Sequence, residues 1–225
     1  MSRDSFESAW IRESELIARG MGEVDFGPRL GALERPPITT IVTRLSQPTA
    51  QRIHADAAGI DRKIQGHYLY PADDIHATIL SVGDFLNGDG LLDESTLRII
   101  VDEIRKTEPV RLEALGFGVF RTCVFVQLWD PSDAMYELRI RLYEALNRSI
   151  KVQASPPRAP ELVFANVLRF LHKPEPKIRD VVERLRYRGY GTLRTETAEL
   201  VSTDKFLSRP ATTSVLTIEF GDTVN

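Results

Sequence analysis

A histidine and a threonine stand two residues apart inside an apolar run that ends at Val82. The Ile, Val and Leu residues around them favour a β-strand that packs on a core. Successive strand side chains point to opposite faces, so His76 and Thr78 are expected on one face and their apolar neighbours on the other. An imidazole can transfer a proton near neutral pH, and a hydroxyl can donate a hydrogen bond to an oxyanion. The pair therefore suits phosphate chemistry, and the alternative is a structural histidine bonded to a neighbouring carbonyl.

The segment from Tyr70 to Gly83 resembles the first motif of the two-histidine phosphoesterase superfamily, which contains 2'-5' RNA ligase-like proteins and cyclic nucleotide phosphodiesterases. Members of that superfamily carry a His-x-Thr/Ser motif twice, once in each of two similar lobes. The order of predicted elements agrees with the family over about residues 38 to 221. The resemblance implies an α+β fold, a two-lobed sandwich of antiparallel-rich sheets around a central groove with the helices outside.

The second motif departs from the family pattern. A strand predicted over Pro160 to Arg169 puts Phe164 where the second histidine belongs and Asn166 where the second Thr/Ser belongs. In the family, the two histidines flank a phosphodiester, and one accepts a proton while the other donates one. Phenylalanine cannot transfer a proton, although Asn166 can still donate a hydrogen bond to an oxyanion. Loss of one such proton-transfer group typically lowers the rate by about 10²–10⁴-fold.

The resemblance therefore implies two function classes. The first is a phosphodiesterase that binds or hydrolyses a cyclic phosphate or an RNA terminus, with His76 as acid or base and Thr78 and Asn166 on the phosphate. The second is a catalytically impaired module that binds a nucleotide or an RNA end, in which Phe164 offers a stacking surface for a base. A structural interpretation of Phe164 is that its ring simply fills the space a substrate would occupy.

Three further residues are assigned to substrate binding. Arg169 ends the second motif strand, and His67 and Tyr68 lie just before the first motif. His67 is also a candidate replacement for the missing second histidine, although the turn at Pro71 leaves its direction open. The histidines lack the spacing of zinc ligands, so neither a metal nor a cofactor is expected.

The amino-acid composition sets broader limits on the function than the motifs do. The chain has 225 residues, 42% hydrophobic and 27% charged, which is enough to bury a core. Its formal net charge of -3 gives no global attraction to bulk nucleic acid, so a small nucleotide ligand or an RNA end would need local positive charge. The lone Cys123 fits a reducing compartment. The absence of a secretory signal pattern and of a long apolar run predicts a cytoplasmic protein without a membrane partner, and leaves the oligomeric state open.

An N-terminal segment precedes the family-like region. Phe6, Trp10 and Ile17 have helical spacing, and glycines and prolines follow up to Pro37, so residues 1–37 are predicted as a helix with a linker and residues 38–225 as the phosphoesterase-like domain. The helix is expected to dock on the body, with a dimer contact or a lid over the groove as alternatives. Beyond residue 38, hydrophobic spacing predicts helices at 48–64 and 92–106, from 131 and from 176, and strands at 38–45, 115–120, 124–128, 195–202 and 213–220.

Overall fold

The computed structural model describes residues 3–25, 38–83, 92–149, 161–204, 207 and 211–221. The strands in these ranges are β1 (Ile38–Arg44), β2 (Tyr68–Leu69), β3 (His76–Ser81), β4 (Val110–Phe120), β5 (Cys123–Trp129), β6 (Phe164–Arg169), β7 (Gly191–Thr195), β8 (Thr197–Thr203) and β9 (Thr213–Glu219). The α-helices are α1 (Arg3–Ala18), α2 (Gln47–Ile64), α3 (Glu94–Arg105), α4 (Ala134–Ser149) and α5 (Ile178–Glu183). A short 3-10 turn, Ala72–Asp74, leads into β3.

Local sequence signals explain where the longer helices begin. Pro48 lies in the first turn of α2, where its missing N–H costs no helical hydrogen bond. The Asp93 carboxylate caps α3 by accepting a hydrogen bond from the backbone N–H of Thr96 at 2.7 Å. Both helices turn an apolar stripe inward, with Ile60 of α2 and Ile100 of α3 fully buried.

All nine strands form one antiparallel sheet in the order β7-β4-β5-β6-β3-β1-β8-β9, with β2 added against β6. The order reads as two four-stranded halves that meet at β3 and β6. The first half-sheet contains β3, β1, β8 and β9, and the second half-sheet contains β6, β5, β4 and β7. A strand–helix–strand unit recurs, as β1–α2–β3 in the first half and β5–α4–β6 in the second.

Matching β-bulges mark the two innermost strands. Val42 and Ile41 of β1 pair with Thr78 and Leu80, so Ile79 has no partner in β1. Phe125 and Val124 of β5 pair with Asn166 and Leu168, so Val167 is skipped in the same way. Each bulge follows directly after the third residue of a motif. A bulge reverses the alternation of side chains, and in β6 this returns Arg169 to the face that carries Asn166.

The main core lies on the opposite face of the sheet, under α2, α3 and α4. Ala77 of β3 and Ala165 of β6 are fully buried there among apolar side chains of the helices. The guanidinium of Arg139 in α4 donates hydrogen bonds to the carbonyls of Thr78, Ile79 and Leu162. This buried side chain therefore joins β3 to the start of β6 where the two strands diverge.

The α+β class, the antiparallel halves and the outer helices confirm the predicted fold, and the two lobes share one continuous sheet. The strand predicted at 195–202 is observed as β8, which begins two residues later; Glu196 separates it from β7, a strand that was not predicted. Thr195 pairs with Val110 in the second half-sheet, while Thr197 pairs with Glu219 in the first, so the chain crosses between halves at this point. Strand β4 also begins earlier than predicted, since its first five residues pair with β7.

Helix α1 packs against β4, with Phe6 and Trp10 buried, so the predicted docking of the helix on the body is observed. The segment after it continues along the sheet, where the backbone N–H of Glu23 donates to the carbonyl of Arg121 at 2.8 Å. Residues 26–37 of the predicted linker lie outside the described residues. No helix in the described ranges is long and apolar enough to cross a membrane.

Candidate active site

The two motif strands meet at a single residue pair, Ala77 opposite Ala165, in antiparallel register. Antiparallel geometry then sets His76 beside Asn166 and Thr78 beside Phe164. All four side chains leave the sheet on the face opposite the two alanines, which we call the motif face. The first residue of each motif therefore lies beside the third residue of the other motif. A two-fold relation between the halves requires this arrangement.

His76 is buried and has a fixed tautomer. Its Nδ1 lies 2.6 Å from the backbone carbonyl oxygen of Asp74, which can only accept, so Nδ1 carries the hydrogen and Nε2 carries a lone pair. Burial lowers the pKa of His76 to about 4; the nearby positive charges of Arg44 and Arg169 also lower it, against the hydrogen bond to Asp74. At neutral pH the imidazole is thus an uncharged proton or hydrogen-bond acceptor.

Arg169 and Tyr68 lie in the same cluster as His76. The Arg169 guanidinium donates to the Tyr70 hydroxyl at 3.4 Å and forms an ion pair with Asp25 at 3.2 Å. Although burial opposes its charge, the groups around it, Tyr70 first, raise the pKa of Arg169 above its ordinary value. The Tyr70 ring lies 6.2 Å from the His76 ring and 5.0 Å from that of Tyr68. Burial raises the pKa of Tyr68 to about 12, so its phenol remains a hydrogen-bond donor at neutral pH.

Arg44 was not identified from the sequence, although it adjoins His76. The two residues are directly paired between β1 and β3, so their side chains share the motif face. Nε of Arg44 bonds both carboxylate oxygens of Glu199, at 2.9 and 3.0 Å, and Nη1 bonds the carbonyl of Asp73. A charged residue ending an otherwise uncharged strand was the available signal.

Phe164 is packed into an aromatic cluster on the motif face. Its ring centroid lies 5.2 Å from those of Phe120 and Phe125, and these two rings stack at 4.3 Å. Phe6 of α1 covers Phe125 at 6.4 Å. Phe164 remains half-buried, so one part of its ring is still accessible. The second half-sheet thus presents hydrocarbon at the position that corresponds to His76.

The structure does not bring His67 to the His76 cluster. Its ring stacks on His172 at 4.1 Å and lies against Phe170 at 5.1 Å. The backbone N–H of Leu171 donates to its Nδ1 at 3.3 Å. Because His67 precedes Tyr68 in sequence, strand alternation sends the two side chains to opposite faces. Among the described residues, no group of three or more His, Cys, Asp or Glu side chains is placed to hold a metal ion.

Comparison with known proteins places the fold. No protein-family model and no curated protein sequence matches the chain. The solved structure of TT0787 from Thermus thermophilus matches with a TM-score of 0.63 and 16% identity, over 82% of this chain and 98% of that one. Escherichia coli LigT in complex with NADP+ matches with a TM-score of 0.54 and 15% identity, over 84% of this chain and 100% of LigT.

A third structure extends the likeness along nearly the whole chain. The conserved protein of unknown function Atu0111 from Agrobacterium tumefaciens strain C58 covers 98% of both chains, with a TM-score of 0.54 and 11% identity. These matches show that the chain shares the fold of TT0787 and of E. coli LigT, in agreement with the fold that the first motif predicted.

Proposed function

We propose that this protein binds the phosphate-ester end of a nucleotide or an RNA on its motif face, and that its capacity for hydrolysis is impaired. The observation that carries the proposal is the Ala77–Ala165 register, because it brings His76, Thr78 and Asn166 together with Phe164 in the place of a second histidine. The LigT-type fold supports a phosphoesterase-like role. E. coli LigT has been crystallised with phosphate and with 3'-AMP, which supports a ligand of that kind here.

The proposed contacts follow from the donors available. The Thr78 hydroxyl, the Asn166 amide N–H groups and the Arg169 guanidinium would donate to the phosphoryl oxygens, and Arg169 would supply charge. The accessible part of the Phe164 ring would stack on a base or a ribose. Tyr68 would add a phenol donor at the edge of the same cluster. The ion pairs of Arg44 and Arg169 with carboxylates hold both guanidinium groups in fixed positions.

Hydrolysis needs two proton transfers on opposite sides of the phosphorus, and the described residues of the motif face supply one imidazole for them. His76 is suited to accept the proton of an attacking water, since its Nε2 lone pair is available at neutral pH. Phe164 cannot protonate the leaving oxygen. The second candidate function, slow cyclic phosphodiesterase activity, is favoured by this uncharged His76 alone, with solvent as the acid.

The proposal is tested by measuring binding by calorimetry and hydrolysis by product analysis, with 2',3'-cyclic nucleotides, nucleoside 3'-monophosphates and cyclic-phosphate-ended RNA. We expect measurable binding and little or no turnover by the wild type. Thr78→Val should weaken binding about tenfold through loss of one phosphate hydrogen bond. Thr217→Val, on the exposed part of β9, is the matched control and should bind as the wild type does. Absence of binding to every compound would refute the proposal.

A further inference from the structure

Two hydrogen-bond acceptors stand side by side on the motif face. His76 presents Nε2 as a lone pair, because its Nδ1–H is committed to the Asp74 carbonyl at 2.6 Å. Asn166, its neighbour across the β3–β6 pair, has a fully buried Oδ1 with no hydrogen-bond partner among the described residues. A buried acceptor that stays unpaired is costly, so a matching ligand is one that donates at this point.

A cyclic phosphate and an opened phosphate differ in this respect. A 2',3'-cyclic phosphate carries only oxygen acceptors on that edge of the ribose. A ribose 2'- or 3'-monophosphate carries a phosphate next to a free hydroxyl, and that hydroxyl is a donor. At the position of the second half-sheet that corresponds to His76, the phosphate would meet the hydrocarbon ring of Phe164 and not an imidazole.

We propose that the motif face selects a ribose phosphate monoester with a free neighbouring hydroxyl over the corresponding 2',3'-cyclic phosphate. The hydroxyl donates to Nε2 of His76, beside Oδ1 of Asn166, and the phosphate lies towards Thr78 and Arg169. The inference rests on the proposed function, and it assigns the ligand as an opened RNA end or a nucleoside 2'- or 3'-monophosphate. Such ends are what cleavage of an RNA chain followed by ring opening leaves behind.

The test compares two ligands that differ only in the donor. Adenosine 3'-monophosphate and 2'-deoxyadenosine 3'-monophosphate carry the same base and the same phosphate charge, and calorimetry gives the affinity of the full-length protein for each. We expect the ribonucleotide to bind about tenfold more tightly than the deoxynucleotide. Adenosine 2',3'-cyclic phosphate should bind at least as weakly as the deoxynucleotide.

Variants assign the discrimination to His76. In His76→Phe, the two 3'-monophosphates should bind with equal affinity. His172→Phe makes the same change at the ring stacked on His67, and it should keep the full difference. If His76→Phe does not fold, the wild type is titrated with 2'-fluoro-2'-deoxyadenosine 3'-monophosphate, which lacks the donor and should behave like the deoxynucleotide.

The outcomes separate this inference from the proposed function. Equal affinity of the wild type for adenosine 3'-monophosphate and its 2'-deoxy analogue would overturn the selection while leaving phosphate-ester binding intact. Tighter binding of the cyclic phosphate would also overturn it. No binding of any of these nucleotides at millimolar concentration would refute both.

Discussion

The two half-sheets share their backbone plan and differ in the side chains they present on the motif face. Both have a strand–helix–strand unit, an innermost motif strand and a bulge directly after the motif. The first half-sheet presents an oriented imidazole beside a hydroxyl, whereas the second presents Phe164 in an aromatic cluster. The comparison shows that one backbone plan can present an imidazole in one half and a hydrocarbon ring at the corresponding position of the other.

Each half is also covered differently. In the first half-sheet, Leu207 packs on Val42 and Val201 of the motif face. In the second, Phe6 and Ala9 of helix α1 pack on Phe125 and Leu162. On the motif face, the N-terminal helix therefore packs on the half that carries Phe164. The half that carries His76 is contacted by Leu207, which lies between β8 and β9.

Removing His76 should produce the largest effect. His76→Ala is expected to lower any hydrolysis of 2',3'-cyclic nucleotides by about 10²–10⁴-fold, because no other imidazole reaches the motif face in the described part of the chain. Initial rates with purified protein measure it, and His172→Ala should turn over as the wild type does. Activity that survives intact in His76→Ala would mean that the chemistry lies elsewhere or comes from a contaminant.

Removing the buried guanidinium of Arg139, which joins the two halves, is expected to lower the stability of the fold. Arg139→Met should lower the free energy of unfolding by roughly 3 kcal/mol, since the buried carbonyls of Thr78, Ile79 and Leu162 lose their donor. Urea denaturation followed by circular dichroism measures the change. Arg98→Met removes an exposed guanidinium paired with Glu94 and should change stability by less than about 0.5 kcal/mol. Equal effects of the two variants would show that Arg139 does not hold the halves together.

Restoring symmetry should raise catalysis. Phe164→His, alone or with Asn166→Thr, is expected to increase 2',3'-cyclic nucleotide hydrolysis about 100-fold, because the register places an imidazole on the same face as His76. Replacing the half-buried Phe164 ring should lower the free energy of unfolding by about 1–2 kcal/mol. Phe120→His changes another half-buried ring of the same cluster and should gain nothing.

Two results would contradict this prediction. Wild-type turnover already typical of a two-histidine enzyme would show that Phe164 does not mark an incomplete site. Folded variants without any gain would show that the second half-sheet has diverged beyond one residue, which would favour the binding function.

Acid should destabilise the first half through His76. Its pKa is about 4 in the folded protein and about 6.5 when unfolded, so the unfolded chain binds the proton first as the pH falls. The stability from the neutral imidazole is complete above pH 6.5 and is lost progressively down to pH 4. Between pH 8 and pH 5 this amounts to about 2 kcal/mol. Unfolding of the wild type and His76→Phe at both pH values measures it, and an identical pH dependence would contradict the assignment.

Much of this molecule is readable from its sequence. Alternation through Ile75 to Leu80 predicted a strand with His76 and Thr78 on one face, and the position of Phe164 in the second motif followed from the order of elements. The helix starts predicted at residues 48 and 92 lie within two residues of the observed starts at Gln47 and Glu94. These features are local, because side-chain alternation and end-capping depend on residues a few positions apart.

The tertiary structure decided which of these residues meet. The β3–β6 register, which fixes that Phe164 faces the same side as His76, depends on two strands about ninety residues apart in the chain, and a shift by one residue would have reversed it. The bulge at Val167 turns Arg169 towards His76, while His67 ends on the other side, against His172. The pairing of Arg44 with His76 and the cover of Phe6 over Phe125 are likewise contacts between distant segments. Sequence patterning fixes the face a side chain takes within its own element, but only the packing of elements against each other fixes its neighbours.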